Sequence, residues 1–275
     1  MVIDSHHHYW HYNQAEYDWI DDSMRVIRAD FLPENLKETI SGAGVDGVVT
    51  VQARQLIEET DWLLQLAQQN DFMKGIVGWI PLIQQDIEAY LEKYSANVKL
   101  KAVRHVVQGE PDPEFILRKD FNCGISLLKK YSLVYDILIV ERQLPNTIKF
   151  IDMHPNQPFV LDHIAKPLIA QNQLSPWREN IMELAKRENV SCKISGMVTE
   201  ADFKQWTPEQ LQPYFDFVVE AFGPDRLLFG SDWPVCLVAT SYNDWITLVK
   251  KNISKFSETE QAKILGNNAI NIYNL

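Results

Sequence analysis

The chain has 275 residues, of which 46% are hydrophobic and 23% are charged. It carries 26 lysines and arginines against 37 aspartates and glutamates, which gives a formal net charge of −11. This composition is typical of a soluble protein with a large core and excludes a disordered chain, and the acidic balance argues against a nucleic-acid partner.

Short β-rich runs alternate with amphipathic helical patterns along the chain. We predict eight strands, at Val2–His6, Val45–Gln52, Gly75–Ile80, Val98–His105, Leu133–Ile139, Phe159–His163, Val190–Ser195 and Arg226–Gly230. Helical patterns lie between them, for example at Glu34–Ser41, Glu58–Asn70, Ile83–Tyr94 and Trp177–Glu188. Several strands are apolar at consecutive positions, which is typical of parallel strands covered on both faces.

Eight strand–helix units over this length predict an α/β fold, a (β/α)₈ TIM barrel formed as one domain over residues 1–275. An open, doubly wound sheet is the alternative, because the sequence does not show whether the last strand closes on the first. The stretch Tyr9–Leu32 after the first strand is predicted to be a lid or a pocket wall. Ser257–Leu275 is predicted to form one or two helices that close the barrel floor.

Four of the seven histidines fall within the first eleven residues, namely His6, His7, His8 and His11. Residues two apart in an extended strand point to the same side, so His6 and His8 should project together, with Asp4 on their side. The end of a first barrel strand lies at the catalytic mouth, so two imidazoles are expected there. A solvated polar strand end is the alternative interpretation.

Two further candidates follow later strands. Asp232 comes just after the eighth strand, which is the neighbour of the first in a closed barrel, although an aspartate there could equally cap the following turn. His163 ends the sixth strand, and the charges of Asp162 and Lys166 beside it exceed what a purely structural turn needs.

The fourth strand ends in Arg104 and His105. The guanidinium group of an arginine offers a fixed fork of donors that suits a carboxylate or a developing oxyanion. A surface salt bridge is the alternative for Arg104. Lys193, in the seventh strand, is a weaker candidate.

Five segments, in this order, resemble the amidohydrolase superfamily: Asp4–Trp10, Val103–Val106, Leu161–Pro167, Lys193–Gly196 and Gly230–Pro234. More narrowly, the chain is similar to the lactonase branch, which includes L-fuconolactonases, L-rhamnonolactonases and pyrone-dicarboxylate lactonases. The resemblance extends from Asp4 to Asn268–Ala269 and so covers nearly the whole chain. It implies a barrel hydrolase that opens the lactone of a sugar acid to the free acid.

The resemblance also implies a role for each candidate. Asp232 would be the general base that takes a proton from water. The imidazoles of His163, His6 and His8 would polarise the lactone carbonyl or orient that water. Arg104 would hold the carbonyl oxygen or substrate hydroxyls. The substrate-binding residues are expected to be Trp10, Gln52, His105, Lys166, Lys193 and Trp233, with the two tryptophans stacking on the sugar ring.

Two-metal members of the superfamily resemble one another in carrying a bridging lysine or glutamate on strand four and a histidine on strand five. Here strand four ends in Arg104 and His105, and strand five has no histidine, so a two-metal site is not expected. A single Zn²⁺-like ion remains an open alternative, with the ligands His6, His8, His163 and Asp232. We expect catalysis that requires no metal or other cofactor.

Two other functions remain open. A mononuclear metal-dependent amidohydrolase or decarboxylase acting on a small carboxylated metabolite would keep the same residues, and a non-enzymatic metabolite-binding barrel would use them only as hydrogen-bond partners. The expected partner is a small sugar lactone, and no membrane contact is expected because no apolar run reaches the ~18 residues that cross a bilayer. The start of the chain lacks a secretory signal, so we expect a cytoplasmic protein, and homo-oligomerisation is left open.

Overall fold

The computed structural model describes residues 1–275. Eight parallel strands follow one another around a barrel in chain order. They are β1 (Ile3–His7), β2 (Gly47–Val51), β3 (Met73–Gly78), β4 (Leu100–His105), β5 (Val134–Ile137), β6 (Phe159–Leu161), β7 (Val190–Ile194) and β8 (Leu227–Phe229). The predicted barrel is confirmed, although most strands are shorter than their apolar runs.

The barrel is nearly closed where β1 meets the segment that follows β8. The N–H of His8 donates to the carbonyl of Trp233 at 2.7 Å, and the N–H of Asp232 donates to the carbonyl of His6 at 2.7 Å. These bonds exclude the open-sheet alternative. They also bring the end of β1 beside the residues after β8, so the sequence-distant His6, His8 and Asp232 lie at the same end of the barrel.

Helices cover the outside of the barrel. They are α1 (Pro33–Ala43), α2 (Ile57–Gln69), α3 (Ile87–Ser95), α4 (Lys119–Leu128), α5 (Leu144–Met153), α6 (Trp177–Leu184), α7 (Pro208–Phe222), α8 (Tyr242–Ile253), α9 (Glu258–Ala262) and α10 (Asn268–Tyr273). Pro33 and Pro208 stand at helix starts, where the missing N–H costs no hydrogen bond. None of these helices combines the length and the apolar character needed to span a membrane.

The barrel interior has an apolar floor and a charged upper layer. The apolar side chains are Ile3, Val49, Val51, Val77, Ala102, Val134, Val160 and Leu228. Helix α10 packs Ala269 and Tyr273 against them, so the C-terminal helices close the floor. Alternate residues of a strand face the same side, and Asp136, two positions after Val134, therefore also points inward. Asp136 and Lys193 are both completely buried.

The long loop after β1 forms a wall with a small core of its own. Trp10, Tyr17 and Ile27 are buried together within it. Its two ends are tied by backbone bonds between Trp10 and Phe31, at 3.0 and 2.9 Å. The indole of Trp10 also stacks beside the imidazole of His8, with ring centroids 6.4 Å apart. The loop is therefore an ordered wall with Trp10 and Tyr17 turned inward, whereas Trp19 stays exposed.

Candidate active site

Four side chains from the C-terminal ends of strands point at one centre. The Nε2 of His6 lies 3.3 Å from the Nε2 of His8. The Oδ1 of Asp232 lies 3.8 Å from the first of these nitrogens and 3.5 Å from the second. The Nε2 of His163 lies 3.9 Å from the same oxygen. The structure therefore brings together the four residues named as the ligands of a single ion.

An unusual backbone conformation carries His163 to this centre. The residues from His163 to Lys166 all have positive φ, at 51°, 49°, 61° and 47°, a left-handed turn that is unfavourable for L-residues and most of all for the β-branched Ile164. The indole N–H of Trp177 donates to the carbonyl of Ile164 at 2.8 Å and holds the turn. Gly196 lies beside the ring, where an added Cβ would stand 2.6 Å from the Nδ1 of His163. Strained backbone of this kind is concentrated at functional sites.

Each of the three imidazoles has a partner on its Nδ1, away from the centre. For His8 the partner is a backbone carbonyl at the end of β2, at 2.8 Å. For His163 it is the hydroxyl of Ser195 at 2.9 Å, and for His6 it is the Oδ1 of Asp162 at 3.2 Å. A hydrogen on Nδ1 leaves the lone pair on Nε2, which is the arrangement that such partners impose on metal-binding histidines.

The protonation states also favour ligand binding at the centre. Burial lowers the pKa of His6 well below its usual value. Burial likewise lowers the pKa of His163 to about 4, against the opposing charge of Asp232. Burial alone would raise the pKa of Asp232, but the neighbouring His163 and His8 bring it below its usual value. At neutral pH the centre therefore joins neutral imidazoles of His6 and His163 to an ionised carboxylate, the states in which these groups bind metals.

The donor set fits one tetrahedral ion. Zinc–nitrogen bonds of about 2.0–2.1 Å place neighbouring ligand atoms about 3.3 Å apart. The donor atoms of His6, His8 and Asp232 lie 3.3 to 3.8 Å from one another, close to that spacing. His163 lies 3.9 Å from Asp232 but is not part of this compact group. Two imidazole nitrogens and one carboxylate oxygen suit Zn²⁺ or a similar ion and leave its fourth position open.

The parallel barrel and the imidazole–carboxylate cluster at its mouth define the class of barrel hydrolases that act through strand-end histidine and aspartate side chains. Within this class the chain belongs to the amidohydrolase family, whose sequence profile matches residues 3–275. The predicted family and the prediction of an enzyme are confirmed.

Two curated relatives cover the whole chain. L-fucono-1,5-lactonase from Burkholderia multivorans is 37% identical, and the alignment covers 100% of this chain and 96% of that protein. L-fucono-1,5-lactonase from Burkholderia ambifaria is 31% identical, with coverage of 99% and 95%. A crystal structure of an amidohydrolase from Burkholderia multivorans with bound zinc matches at a TM-score of 0.97 and 37% identity, covering 100% of this chain and 99% of that one.

The prediction that no metal is required is wrong. The amidohydrolase from Burkholderia multivorans was crystallised with zinc bound. In the present chain, His6, His8 and Asp232 offer ligand atoms that all lie within 4.8 Å of one another. The ends of β4 and β5 argued against a two-metal site, but they carry no information about an ion held by β1 and the segment after β8.

Arg104 is buried beside Asp162 and His6 rather than exposed at the mouth of the barrel. Its Nη1 donates to the Oδ2 of Asp162 at 2.9 Å and approaches the Nε2 of His6 at 3.4 Å. Its Nη2 donates to the backbone carbonyl of Gln52. The Nε of Arg104 and the side-chain oxygen of Gln52 are both buried and have no hydrogen-bond partner in the protein. Both atoms therefore have unused hydrogen-bonding capacity, but neither reaches the surface of the mouth in this structure.

The other predicted polar contacts are divided among three places. Lys166 stays at the mouth, 22% exposed, with its ammonium 3.7 Å from Glu200. Lys193 lies inside the barrel and is completely buried, so it does not line a substrate wall. The ring of His105 packs outside the barrel, stacked on Phe115, and its Nε2 lies 2.6 Å from a glutamate oxygen. His105 therefore lies outside the barrel and Lys193 inside it, and the burial of both side chains does not favour the substrate-binding role predicted for them.

The two tryptophans are also corrected. Trp10 is 0% exposed and donates its indole N–H to the carbonyl of Ala29 at 3.0 Å. Trp233 is 3% exposed and packs edge-on against Phe31, with ring centroids 5.1 Å apart. Neither indole offers a free face for a sugar ring, because the loop wall after β1 covers both.

Strict alternation predicted Asp4 on the same side of β1 as His6. The structure places the two side chains on different sides. The pairing register of β1 shifts between Asp4 and His7, so the alternation is broken there. The carboxylate of Asp4 instead accepts hydrogen bonds from the hydroxyl of Ser231 at 2.5 Å and from that of Tyr242 at 3.0 Å. It ties β1 to the segment after β8 and to α8.

Sequence reasoning missed Asp136 and Tyr273 and gave Asp162 no role in the site. One signal was present, because Asp136 is a charged residue in the middle of the apolar run Leu133–Ile139. A charge at such a position needs a buried partner. The partner, Lys193, was visible in the sequence, but their pairing depends on the barrel geometry.

Proposed function

We propose that this chain hydrolyses the lactone of a five- or six-carbon sugar acid, such as L-fucono-1,5-lactone, to the free acid. The observation that carries the proposal is the convergence of His6, His8, His163 and Asp232 at the barrel mouth, in a chain that matches L-fucono-1,5-lactonases over its full length. A lactone is an ester, so its hydrolysis needs a base for water and a positive site for the carbonyl oxygen.

In this proposal Asp232 is the base. Its lowered pKa keeps the carboxylate ionised at neutral pH, and its closest approaches to all three imidazoles use the same oxygen, Oδ1. The second oxygen of the carboxylate remains to accept a proton from water. General-base assistance of this kind contributes about 10²–10⁴ to a rate.

His6, His8 and Asp232 would hold one divalent ion, which polarises a carbonyl oxygen and lowers the pKa of water when bound. The protein fixes the orientation and the protonation state of these ligands. The Nδ1 partners described above fix the direction of each ring, and the low pKa values of His6 and His163 keep these imidazoles neutral.

The remaining mouth residues bind the sugar in this proposal. The Nε of Arg104 would donate to a hydroxyl or to the developing negative charge on the carbonyl oxygen, and the side-chain oxygen of Gln52 would accept from a hydroxyl. Both atoms are buried in this structure, so the two side chains must move for the sugar to reach them. At the partly exposed rim, Lys166 offers a positive charge and Glu200 offers a negative one.

The direct test is a pH-indicator assay over a panel of L- and D-aldonolactones and deoxy-aldonolactones. We expect acid release above the uncatalysed rate for at least one five- or six-carbon lactone. The variant Asp216→Asn, at an exposed position, should open the same lactones at the wild-type rate. If every lactone in the panel opens only at the uncatalysed rate while the protein is folded, the proposed function is wrong.

A further inference from the structure

A chain of buried polar contacts connects the floor of the barrel to the candidate site. It begins at Tyr273 in α10, whose hydroxyl donates toward both oxygens of Asp136, at 3.0 and 2.8 Å. The Oδ2 of Asp136 lies 2.6 Å from the ammonium of Lys193. That ammonium lies 2.9 Å from the Oδ1 of Asp162, which in turn lies 3.2 Å from the Nδ1 of His6.

The group is balanced in charge and closed to solvent. Asp136 and Asp162 supply two negative charges, and Lys193 and Arg104 supply two positive ones. Asp136, Asp162 and Lys193 are 0% exposed, and Arg104 is 3% exposed. Isolated charges at this depth would be strongly unfavourable, so each member depends on its partners for its position.

The ammonium of Lys193 has a choice of acceptors. Besides the two carboxylates, it lies 3.2 Å from the Nδ1 of His6. The same Nδ1 is also 3.2 Å from Asp162. A ring nitrogen carries either a hydrogen or a lone pair, so Nδ1 can donate to Asp162 or accept from Lys193, but it cannot do both.

The hydrogen-bond partner of Nδ1 determines whether the Nε2 of His6 carries a hydrogen or a lone pair. If Nδ1 donates to Asp162, the lone pair lies on Nε2 and faces the centre. If Nδ1 accepts from Lys193, then Nε2 of the neutral ring carries the hydrogen and cannot bind a metal ion. Arg104, which only donates, approaches Nε2 at 3.4 Å, and this contact agrees with a lone pair on Nε2.

We propose that Lys193, anchored by Asp136 and Tyr273, is a positioning residue that fixes the tautomer of His6 with its hydrogen on Nδ1. The shortest contact of the Lys193 ammonium, at 2.6 Å, is with the carboxylate of Asp136, and the hydroxyl of Tyr273 orients that carboxylate. The lysine therefore donates to carboxylates, and His6 is left to donate to Asp162. The inference rests on the proposed function only in taking the Nε2 of His6 as the atom that faces the reaction centre.

The test compares Asp136→Asn and Tyr273→Phe with the wild-type chain. Asp136→Asn removes the charge that draws Lys193, and Tyr273→Phe removes only the hydroxyl that orients Asp136. Tyr214→Phe is the matched control, because the hydroxyl of Tyr214 is buried and has no partner. The first readout is the ¹⁵N NMR spectrum of the histidine rings in metal-free protein, with the His6 signals assigned by their loss in His6→Gln.

We expect the hydrogen of His6 on Nδ1 in the wild type and in Tyr214→Phe. In Asp136→Asn the population should move to the form with the hydrogen on Nε2, and in Tyr273→Phe it should move in the same direction by less. The second readout is zinc affinity, measured by competition with a chromophoric chelator. Outer partners of metal-binding histidines change affinity by about 10–100-fold, so we expect at least about a tenfold loss in Asp136→Asn and a smaller loss in Tyr273→Phe.

The inference is overturned if the wild-type ring carries its hydrogen on Nε2. It is equally overturned if both variants keep the wild-type tautomer and zinc affinity. Should Asp136→Asn fail to fold, Tyr273→Phe decides alone, since it keeps every charge in place. Failure of the lactone panel would contradict the proposed function and leave the tautomer result unchanged, so the two failures are distinguishable.

Discussion

Asp232 adopts a backbone conformation that restricts which residues can replace it. Its φ is +58°, in the left-handed region that aspartate and asparagine enter more readily than other residues with a Cβ. Its backbone N–H is held by the carbonyl of His6 at 2.7 Å. Asparagine at this position keeps the shape and the backbone, so the substitution isolates the chemistry of the carboxylate.

We expect Asp232→Asn to lower kcat by at least ~10², because the amide cannot accept a proton from water, while KM and the Tm of chelator-stripped protein stay close to wild type. The measurement is kcat, KM and Tm on one preparation, with Asp216→Asn on the exposed face of α7 as the control. Zinc content is measured alongside, which separates loss of the base from loss of an ion.

A structural role for Asp232 makes the opposite forecast. If the carboxylate only caps the following turn, its loss would cost about 1 kcal/mol of stability and leave turnover nearly intact. Near-normal kcat together with a lowered Tm would therefore remove Asp232 from the proposed mechanism.

At the scale of the elements, the turn after β6 has the least favourable backbone conformation. It presents His163 through consecutive left-handed residues, and Trp177 and Gly196 hold it from two sides. The position of His163 is thus specified by neighbours on other elements rather than by its own strand.

Gly196→Ala should therefore lower both stability and activity. Gly196 has a φ of +65°, and the new Cβ would stand 2.6 Å from the Nδ1 of His163, so the imidazole must move from its place. We expect a loss of more than about 1 kcal/mol in the free energy of unfolding and a clear fall in kcat. Urea unfolding and lactone turnover measure the two effects.

The matched control for this substitution is Gly42→Ala in α1. An added Cβ at Gly42 meets nothing within 4 Å, so the change should stabilise the protein by about 0.5–1 kcal/mol through helix propensity. Wild-type kcat and zinc affinity in Gly196→Ala would show that the turn does not need glycine to place His163.

The strands were predictable from the sequence because parallel strands are buried on both faces and read as continuous apolar runs. The pairing of His6 with His8 followed from the two-residue period of a strand. That period failed at Asp4, where a register shift breaks it. The tryptophans were misplaced for a different reason, because the exposure of Trp10 and Trp233 depends on how the loop after β1 folds over them. No local pattern in the sequence encodes that covering.

For the whole molecule, binding of an ion should appear as added stability. A ligand that binds only the folded chain stabilises it by about 2.7 kcal/mol at 100 times its Kd. We expect ZnCl₂ to raise the Tm of protein stripped with a chelator, and MgCl₂ to have little effect because Mg²⁺ prefers oxygen ligands.

His8→Gln tests where the zinc acts. It removes one of the converging nitrogens, so the zinc-dependent rise in Tm should shrink or vanish in this variant. An equal rise in wild type and variant would place the bound zinc elsewhere. No rise in the wild type would contradict an ion at this centre.

The seam between β1 and the segment after β8 has a consequence for how the protein is made. The contacts across it join residues more than 220 positions apart, as in the bond from Ser5 to the carbonyl of Phe229, with a separation of 224. Contacts of such long range form late, and on the ribosome the first strand must wait for the last to emerge. Until then one edge of β1 stays open to pairing with other chains. The histidines near the start of the chain meet Asp232 only at that final step, so a nascent or truncated polypeptide holds an incomplete centre.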